Sequence, residues 1–374
     1  MRRFHLALLA LILLVAQPLL AKTYYVGTCK TGAYSTIGAA VAAVPAGSII
    51  DVCPGTYPEQ VVISQPLTLQ AYTSGGSDQV VIAMPSAGLT TTTSLSWGTV
   101  AAQVEVTAGP VNITGITVDG TATSSVCPTV WDIGIFYYSG ASGTIDAVQT
   151  SNQACNTYGV AIYAENETAT PLAITIEDSD VTGASEYGIA TCSAETPSTL
   201  TATVKTNYVA NTPIGITINC NESANITGNF VDTTSYIGIL VGNPSTTVTG
   251  NTVTNAFNGI RVGANGPTVS GNTVVDAEGG IVLDAVGTAT SNHIINSTWG
   301  IWFAVSGSTV EDNLVIQAQT GALFQCYTET ISGNTFIGAG TGFEEYPGTS
   351  VGTNKFYNVP TLTTDCAAAS AARR

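Results

Sequence analysis

The sequence predicts an all-β solenoid, a right-handed parallel β-helix with a short capping helix at its N-terminal end. Between positions 224 and 354, a glycine followed by an apolar residue recurs at a nearly constant spacing, and an asparagine recurs in a second register with almost the same spacing. The glycines are Gly238, Gly259, Gly280, Gly300, Gly321 and Gly342, and the asparagines are Asn229, Asn251, Asn272, Asn292, Asn313, Asn334 and Asn354. A period of about 21 residues predicts repeats that bury their apolar residues against their neighbours.

One repeat, Thr268–Asp284, shows how the chain is expected to fold within each period. Its apolar residues Val269, Val274, Ile281 and Leu283 are separated by small and polar residues, which is typical of short β-strands joined by tight bends. Inward residues of successive coils then stack at about 4.8 Å, the spacing of neighbouring strands. One interior column is predicted to contain Ile239, Ile260, Ile281, Ile301, Ala322 and Phe343.

The recurring asparagines and glycines are predicted to build the coil. Asparagine tolerates left-handed backbone conformations and bonds to nearby main chain, which suits a bend. Stacked amide side chains can also bond from coil to coil. The glycines are expected where the backbone needs a positive φ or close packing at the start of a strand.

The N-terminal end of the chain differs from the repeats. A basic start precedes the apolar run Leu6–Val15, and a small residue, Ala21, follows, as in a secretory signal peptide. We therefore predict a signal peptide at 1–21, one β-helix domain at 22–366 and a disordered tail at 367–374. The expected location is secreted or periplasmic.

Acidic residues dominate the charge of the mature chain. Seven basic and 25 acidic side chains remain after residue 21, a formal charge of −18. Binding to nucleic acid or to an anionic membrane needs Lys and Arg, so we expect neither as a partner. A polysaccharide is the expected partner, a polyanionic one would need bridging cations, and the protein is expected to be a monomer.

The chain contains eight cysteines, an even number that predicts disulfides in an exported protein. The predicted pairs are Cys29–Cys53, Cys127–Cys155, Cys192–Cys220 and Cys326–Cys366. The second and third pairs have the same separation in the sequence, which is one coil in that part of the chain.

A cap and a looped region are predicted before the regular repeats. Ser35 is a candidate N-cap for a short amphipathic helix that ends before Pro45 and covers the open end of the solenoid. Residues 73–110 are rich in Thr, Ser and Gly and are interpreted as irregular, as a first pair of coils that carries a long loop. The repeats between 120 and 225 are longer than the later ones, so their extra residues are expected to form loops, where function is usually located. About twelve coils are predicted.

The segment YSTIGAAVAAVPAGSIIDVCPGTYPEQVVISQPLTLQAY resembles the entry segment of pectin-lyase-like β-helix proteins, including pectin methylesterases. These begin with a Thr-Ile helix, a strand and a Pro-Gly-Thr-Tyr turn, followed by Glu and paired Val or Ile residues. The resemblance implies the parallel β-helix fold and an activity related to polysaccharides. Many enzymes and non-enzymes share this entrance, so it does not select a reaction.

Asp146 is the candidate nucleophile of an esterase. The strand Gly143–Asp146 resembles the start of the motif that carries the nucleophilic aspartate of pectin methylesterases. The apolar-aromatic continuation of that motif is missing, as are its Gln-Asp and Arg-x-Trp partners. Asp146, Glu165, Glu167 and Glu186 are also candidates near the lyase site that is considered next.

A calcium-assisted lyase site is predicted at an acidic stretch. Polysaccharide lyases of the resembled fold use a Lys or Arg base, commonly with Ca²⁺ to neutralise the uronate, and carboxylate oxygens suit that ion. Glu177, Asp178 and Asp180 are the candidate Ca²⁺ ligands, and Lys205, one coil after Glu177, is the candidate base for the C5 proton. The alternative is that Lys205 only pairs with Glu177 across adjacent strands.

A second outward-facing set of residues is predicted from the repeat register. It consists of Tyr236, Phe257, Arg261, Glu278, Asp284, Trp299 and Trp302. Aromatic rings with a few carboxylates suit stacking on sugars, and Arg261 is one of few basic residues within the coils. Ordinary aromatic stacking on a solenoid face is the alternative interpretation.

The leading hypothesis is a secreted β-helix that acts on or binds a polysaccharide, with lyase-like β-elimination on uronate-containing glycans as the reaction. The alternatives are a non-catalytic extracellular solenoid with a carbohydrate-binding, adhesive or structural role, and a carbohydrate esterase that resembles pectin methylesterase. A groove with Lys205 or Arg261 beside carboxylates would favour an enzyme. A flat face of Thr and Ser would favour an adhesin.

Overall fold

The computed structural model describes residues 21–73, 79–122, 129–154, 158–193, 199–220, 222–323, 327–345 and 348–365. Within them the chain forms one helix, Ile37–Ala43, and three long parallel sheets, here called A, B and C. The fold is the predicted right-handed parallel β-helix. The predicted signal peptide up to residue 20 and the predicted tail lie outside the described residues.

The strands of each sheet follow in spatial order. Sheet A contains Thr23–Val26, Ser48–Val52, Leu67–Ala71, Val111–Thr114, Gly143–Asp146, Leu172–Glu177, Leu200–Lys205, Ser223–Thr227, Thr246–Thr249, Thr268–Ser270, Thr288–Thr290, Thr309–Glu311, Thr330–Ser332 and Ser350–Val351. Sheet B contains Gly55–Pro58, Val80–Ala83, Thr117–Asp119, Gln149–Ser151, Asp180–Thr182, Tyr208–Ala210, Phe230–Asp232, Thr252–Thr254, Thr273–Val275, His293–Ile295, Leu314–Ile316, Thr335–Ile337 and Lys355–Tyr357. Sheet C contains Val61–Ile63, Gly98–Val106, Trp131–Tyr137, Gly159–Asn166, Tyr187–Ser193, Ile214–Ile218, Ile237–Val241, Asn258–Val262, Gly279–Leu283, Trp299–Phe303, Thr320–Leu323, Thr341–Glu345 and Thr361–Asp365, with Thr91–Ser94 paired antiparallel to its second strand.

Each regular coil adds one strand to sheet A, one to sheet B and one to sheet C before the chain returns to sheet A. The 13 strands of sheet B mark 13 coils in the described residues, close to the predicted twelve. The predicted interior column is confirmed, because Ile239, Ile260 and Ile281 are aligned on adjacent strands and continue to Ile301, Ala322 and Phe343. These six side chains are at most 3% exposed, and burying each isoleucine contributes about 2 kcal/mol to folding.

The asparagines form a buried ladder at the corner between sheets A and B. The side-chain oxygen of Asn272 accepts hydrogen bonds from the main-chain and side-chain nitrogens of Asn251, at 2.9 and 3.0 Å. The predicted left-handed conformation falls on the preceding residue instead, as at Gly271 with a φ of 63°. The reason is that the asparagine must point inward to bond to its neighbours, so the bend is made one residue earlier.

The recurring glycines are required for close packing at the start of each sheet C strand. None of the six has a positive φ. A Cβ atom on Gly259 would lie only 2.6 Å from the carbonyl oxygen of Gly280, and real Cβ atoms do not approach backbone so closely. Of the two explanations offered by the sequence, close packing is therefore the correct one.

The helix Ile37–Ala43 covers the N-terminal end of the core, as predicted, with Ile37, Ala40 and Val41 buried. Its N-cap is Thr36 rather than Ser35, and the Thr36 hydroxyl accepts an amide hydrogen bond at 3.1 Å. The predicted helix start is one residue too early, because both hydroxyl residues suit a cap.

The described residues between 73 and 110 contain three strands, two of which belong to the coils, so coils are present as predicted but the region is more regular than expected. Val80–Ala83 belongs to sheet B, Gly98–Val106 belongs to sheet C, and Thr91–Ser94 folds back on the latter as a hairpin. The Thr-rich run favours strands, but the hairpin does not follow the repeat period and is not recognisable from it.

Two of the four predicted disulfides are confirmed. Cys29–Cys53 and Cys192–Cys220 are bonded, with Cα–Cα distances of 5.6 and 4.8 Å. Cys127, Cys155, Cys326 and Cys366 lie outside the described residues. Disulfides persist in oxidising compartments, which fits an extracellular or periplasmic protein.

Candidate functional site

The outer face of sheet C brings six predicted residues into one surface, here called the aromatic patch. It consists of Tyr236, Phe257, Arg261, Asp284, Trp299 and Trp302. The rings of Tyr236 and Phe257 are stacked with centroids 6.2 Å apart and are 45% and 44% exposed. Trp299 and Trp302 lie further along the solenoid, with ring centroids 5.5 Å apart. The residues come together because equivalent positions of successive coils are adjacent in a parallel sheet.

Arg261 lies at the centre of the aromatic patch. Its Nε atom is 2.5 Å from Asp284 Oδ2, and its Nη1 atom donates to the Tyr236 hydroxyl oxygen at 3.2 Å. Burial opposes the charged form, but the hydrogen bond and charge of Asp284 outweigh it, so the pKa of Arg261 is raised. Glu278 is exposed at the edge of the patch, one coil beyond Phe257. The arrangement offers flat apolar rings, a fixed cation and carboxylate oxygens on one surface.

Asp146, Glu177 and Lys205 lie in one column on the outer face of sheet A. The Lys205 Nζ atom is 2.6 Å from Glu177 Oε2, so the predicted cross-strand ion pair is present. Burial and then the charges of Glu177 and Asp178 raise the pKa of Asp146, while Lys205 opposes this shift. The column is therefore a small charged cluster on a sheet that does not carry the aromatic patch.

The three predicted calcium ligands are divided between two sheets. Glu177 ends a strand of sheet A, Asp178 makes the turn with a φ of 50°, and Asp180 begins a strand of sheet B and is exposed. Among the residues that the structure describes, no group of three His, Cys, Asp or Glu side chains is placed to hold a metal ion. The three predicted ligands are therefore not gathered at one point of the described structure, and the calcium site stays a prediction.

An aromatic cluster on the outer face of sheet C, in the N-terminal half of the solenoid, was not predicted from the sequence. Trp97, at the tip of the hairpin, stacks on Tyr163 with centroids 3.8 Å apart and on Trp131 at 4.5 Å. Tyr187 lies alongside, 5.8 Å from Trp97. A signal was present in the sequence, because Phe136 and Tyr163 are separated by one coil and are aligned on adjacent strands.

Two of the additional acidic candidates hold the hairpin in place. Glu165 accepts hydrogen bonds from the hydroxyls of Ser94 and Tyr163, each at 2.9 Å, and Glu167 accepts one from the Leu95 amide at 3.2 Å. Burial, followed by the neighbouring Glu165, raises the pKa of Glu167. These contacts fix the position of Trp97 over the sheet, so both carboxyl groups have a structural role.

Comparisons with solved structures confirm the fold. A PL6 alginate lyase complex with trisaccharide matches with a TM-score of 0.58 and 11% identity over 91% of this chain and 86% of that one. The GH136 lacto-N-biosidase from Eubacterium ramulus matches at 0.54 and 12% over 90% and 68%. DFA-IIIase from Arthrobacter chlorophenolicus A6 in complex with GF2 matches at 0.51 and 15% over 91% and 99%. At these identities the likeness shows the parallel β-helix fold alone, and the three proteins have different activities.

Sequence comparisons add one partial match. The family model described as periplasmic copper-binding protein (NosD) matches residues 195–365, less than half of the chain. No curated protein sequence matches. His293 is exposed and is the one histidine within the described residues, and the cysteines of the described region are in disulfides. The soft ligands that copper prefers are thus not gathered in the described residues. No helix of the described residues is long and apolar enough to span a membrane.

Proposed function

We propose that the protein is exported and binds a polysaccharide along the outer face of sheet C, with the aromatic patch as the main contact surface. The observation that carries the proposal is the exposed stack of Tyr236 and Phe257 beside the Arg261–Asp284 pair. Exposed aromatic rings next to polar groups are typical of a surface that binds a ligand. The rings suit the apolar faces of sugar units, and the polar groups suit their hydroxyls.

Charge favours a neutral glycan over a polyanion. Arg261 is paired with Asp284 and Lys205 with Glu177, so neither cation is free to neutralise a uronate. The mature chain also has a formal charge of −18, which repels an anionic polymer unless cations bridge the two. Neutral polysaccharides are therefore the first class to test.

Elimination from a uronate-containing glycan is the second candidate function. Abstraction of a proton beside a carboxylate needs a cation to bind the carboxylate and a base within reach of the proton. For this reaction Arg261 would have to exchange its contact with Asp284 for the uronate carboxylate, and the Tyr236 hydroxyl, 3.2 Å from Arg261 Nη1, would then be the candidate base. This contact favours a lyase site in the aromatic patch over one at Lys205.

A panel of glycans tests both candidates. Binding of neutral glycans, pectate and alginate would be measured by calorimetry with and without Ca²⁺, and unsaturated uronates would be followed by ultraviolet absorbance. The variant Tyr236→Ala/Phe257→Ala is expected to lose about tenfold or more in affinity, equivalent to about 1.4 kcal/mol. If a glycan causes a rise in absorbance and Arg261→Ala abolishes that rise, the protein has lyase activity in addition to glycan binding.

The chain offers a matched control for the aromatic variant. Tyr208 and Phe230 form a similar stack on sheet B, with centroids 5.8 Å apart and exposures of 40% and 42%. The variant Tyr208→Ala/Phe230→Ala is expected to bind like the wild type. Equal affinity of both double variants, or no binding by the wild-type protein to any glycan, would refute the proposal.

A further inference from the structure

A half-exposed tyrosine lies at the edge of the aromatic cluster. Tyr158 is 51% exposed, and its ring centroid is 5.0 Å from that of Trp131. Trp131 is in turn stacked on Trp97, with centroids 4.5 Å apart, and both tryptophans are partly buried. Tyr158 is therefore an accessible ring that is backed by a packed aromatic stack.

This backing makes Tyr158 suitable for binding a ligand. A side chain that becomes ordered on binding loses conformational entropy, which weakens the complex. Trp131 packs against one side of the Tyr158 ring and Trp97 holds Trp131 in place, so Tyr158 has less freedom to lose. A ring that is held in this way and is open to solvent offers a flat apolar surface to a sugar.

Tyr158 is in line with the aromatic patch at the start of the sheet C strands. It directly precedes the strand that begins at Gly159, whose carbonyl oxygen accepts a hydrogen bond from the Glu186 amide at 2.9 Å. Two strands further on, the Tyr236 amide donates to the Pro213 carbonyl oxygen at 3.0 Å. Three strand spacings, or about 14 Å, therefore separate the level of Tyr158 from that of Tyr236.

The surface between Tyr158 and Tyr236 offers a hydrogen-bond acceptor and no cation. Glu186 and Pro213 directly precede the two intervening strands and are partly exposed. A carboxylate accepts hydrogen bonds from hydroxyls, and burial raises the pKa of Glu186, so sugar hydroxyls would replace part of the hydration that burial removes. The four strands that begin at these levels contain no Lys or Arg. The surface therefore suits neutral sugar units.

We propose that Tyr158 is a second anchor for the bound polysaccharide and stacks on a neutral sugar unit. The glycan runs from the aromatic patch across Pro213 to Tyr158, and Glu186 accepts hydrogen bonds from its hydroxyls between the two anchors. The inference rests on the proposed function and adds a minimum length, because only a glycan that spans about 14 Å reaches both anchors. Such a glycan binds more tightly than a short one, since the second contact is made within the complex.

The dependence of binding on chain length tests the second anchor. Oligosaccharides of increasing length from the best ligand of the panel would be titrated by calorimetry. Tyr158→Ala is expected to bind long oligosaccharides about tenfold more weakly than the wild type, whereas Tyr158→Phe keeps the ring and binds them normally. Glu186→Ala removes the acceptor and is expected to lose about threefold to tenfold in affinity for them. Oligosaccharides too short to extend beyond the patch should bind normally to all three variants.

A matched control separates the anchor from general effects on the fold. Tyr357 is 54% exposed but lies on sheet B, so Tyr357→Ala should bind oligosaccharides of all lengths like the wild type. The melting temperatures of all variants are expected to match that of the wild type, since the substituted side chains lie at the surface.

Two results would refute the second anchor and leave the proposed function in place, provided that Tyr236→Ala/Phe257→Ala is impaired. One is normal binding of long oligosaccharides by both Tyr158→Ala and Glu186→Ala. The other is an equal loss of affinity for short and long oligosaccharides in Tyr158→Ala. If the wild type binds no glycan, the anchor and the proposed function both fail.

Discussion

Sheets A and C are built by the same coils but present different outer faces. On sheet A, one outward column contains only Asn, Thr and Ser over eleven strands: Asn112, Thr144, Thr175, Thr203, Asn225, Thr247, Thr268, Thr288, Thr309, Thr330 and Ser350. On sheet C, the outward positions contain the aromatic cluster and the aromatic patch. One molecule thus combines the flat hydroxyl face expected of an adhesin with the aromatic, charged face expected of a glycan-binding protein.

The comparison shows that backbone and function are separable in this fold. Side chains alternate between the two faces of a strand, so the interior columns fix the coil while the outward columns remain free to vary. Function must therefore be assigned to one face at a time. We propose that glycan binds to sheet C, because its face contains the exposed rings beside the Arg261–Asp284 pair.

The largest expected effect concerns the glycine at the start of the sheet C strands. A Cβ on Gly215 would lie 2.5 Å from Val231 Cγ1 and 2.6 Å from the carbonyl oxygen of Gly238. Gly215→Ala is therefore expected to lower the free energy of unfolding by about 3 kcal/mol, measured by urea denaturation. Gly250, at the corner after a sheet A strand, has a φ of 66° and open space around it. Gly250→Ala is expected to cost only about 1 kcal/mol through backbone strain, and equal losses would contradict the packing role.

An intermediate effect is expected from the buried carboxyl of Glu222, which lies between a sheet C strand and the sheet A strand that follows it. Glu222 is fully buried, and burial raises its pKa to about 7, although the Thr191 hydroxyl and the amides of Ser193 and Cys220 oppose the shift. In the unfolded chain the pKa returns to about 4.5, so the folded state binds more protons between these values. The contribution of Glu222 to the free energy of unfolding is then greatest below about pH 4.5. It falls by up to about 3 kcal/mol as the pH rises from about 4.5 to 7.

Thermal unfolding across this pH range measures the effect. Burial also raises the pKa of Glu329 to about 7, so Glu222→Gln is expected to reduce the slope and Glu222→Gln/Glu329→Gln to flatten it further. A wild-type protein whose stability rises from pH 5 to pH 7 would show that these carboxyl groups are ionised without cost.

The periodic parts of the molecule are predictable from the sequence and the non-periodic parts are not. The alignment of Arg261 with Trp302 follows from the repeat length, because packing of the inner columns fixes the register. Trp97 reaches the same face through an antiparallel hairpin that has no equivalent in the repeat. Proximity in the sequence groups Asp180 with Glu177, but the turn at Asp178 places them on different sheets. Register predicts neighbours along a face, whereas corners and hairpins require the structure.

The smallest effect is expected from a substitution of Lys205 on sheet A. A large effect there would contradict the proposal that glycan binds to sheet C. Lys205 is 45% exposed and its ion pair with Glu177 lies at the surface of sheet A, where such pairs contribute little to stability. Lys205→Met is therefore expected to leave the melting temperature and the affinity for glycan unchanged, while Arg261→Met on sheet C weakens binding. The same proteins would be assayed for unsaturated uronates. If Lys205→Met abolished a product that Arg261→Met still forms, the reaction would take place on sheet A, and the two faces would have to exchange their assigned roles.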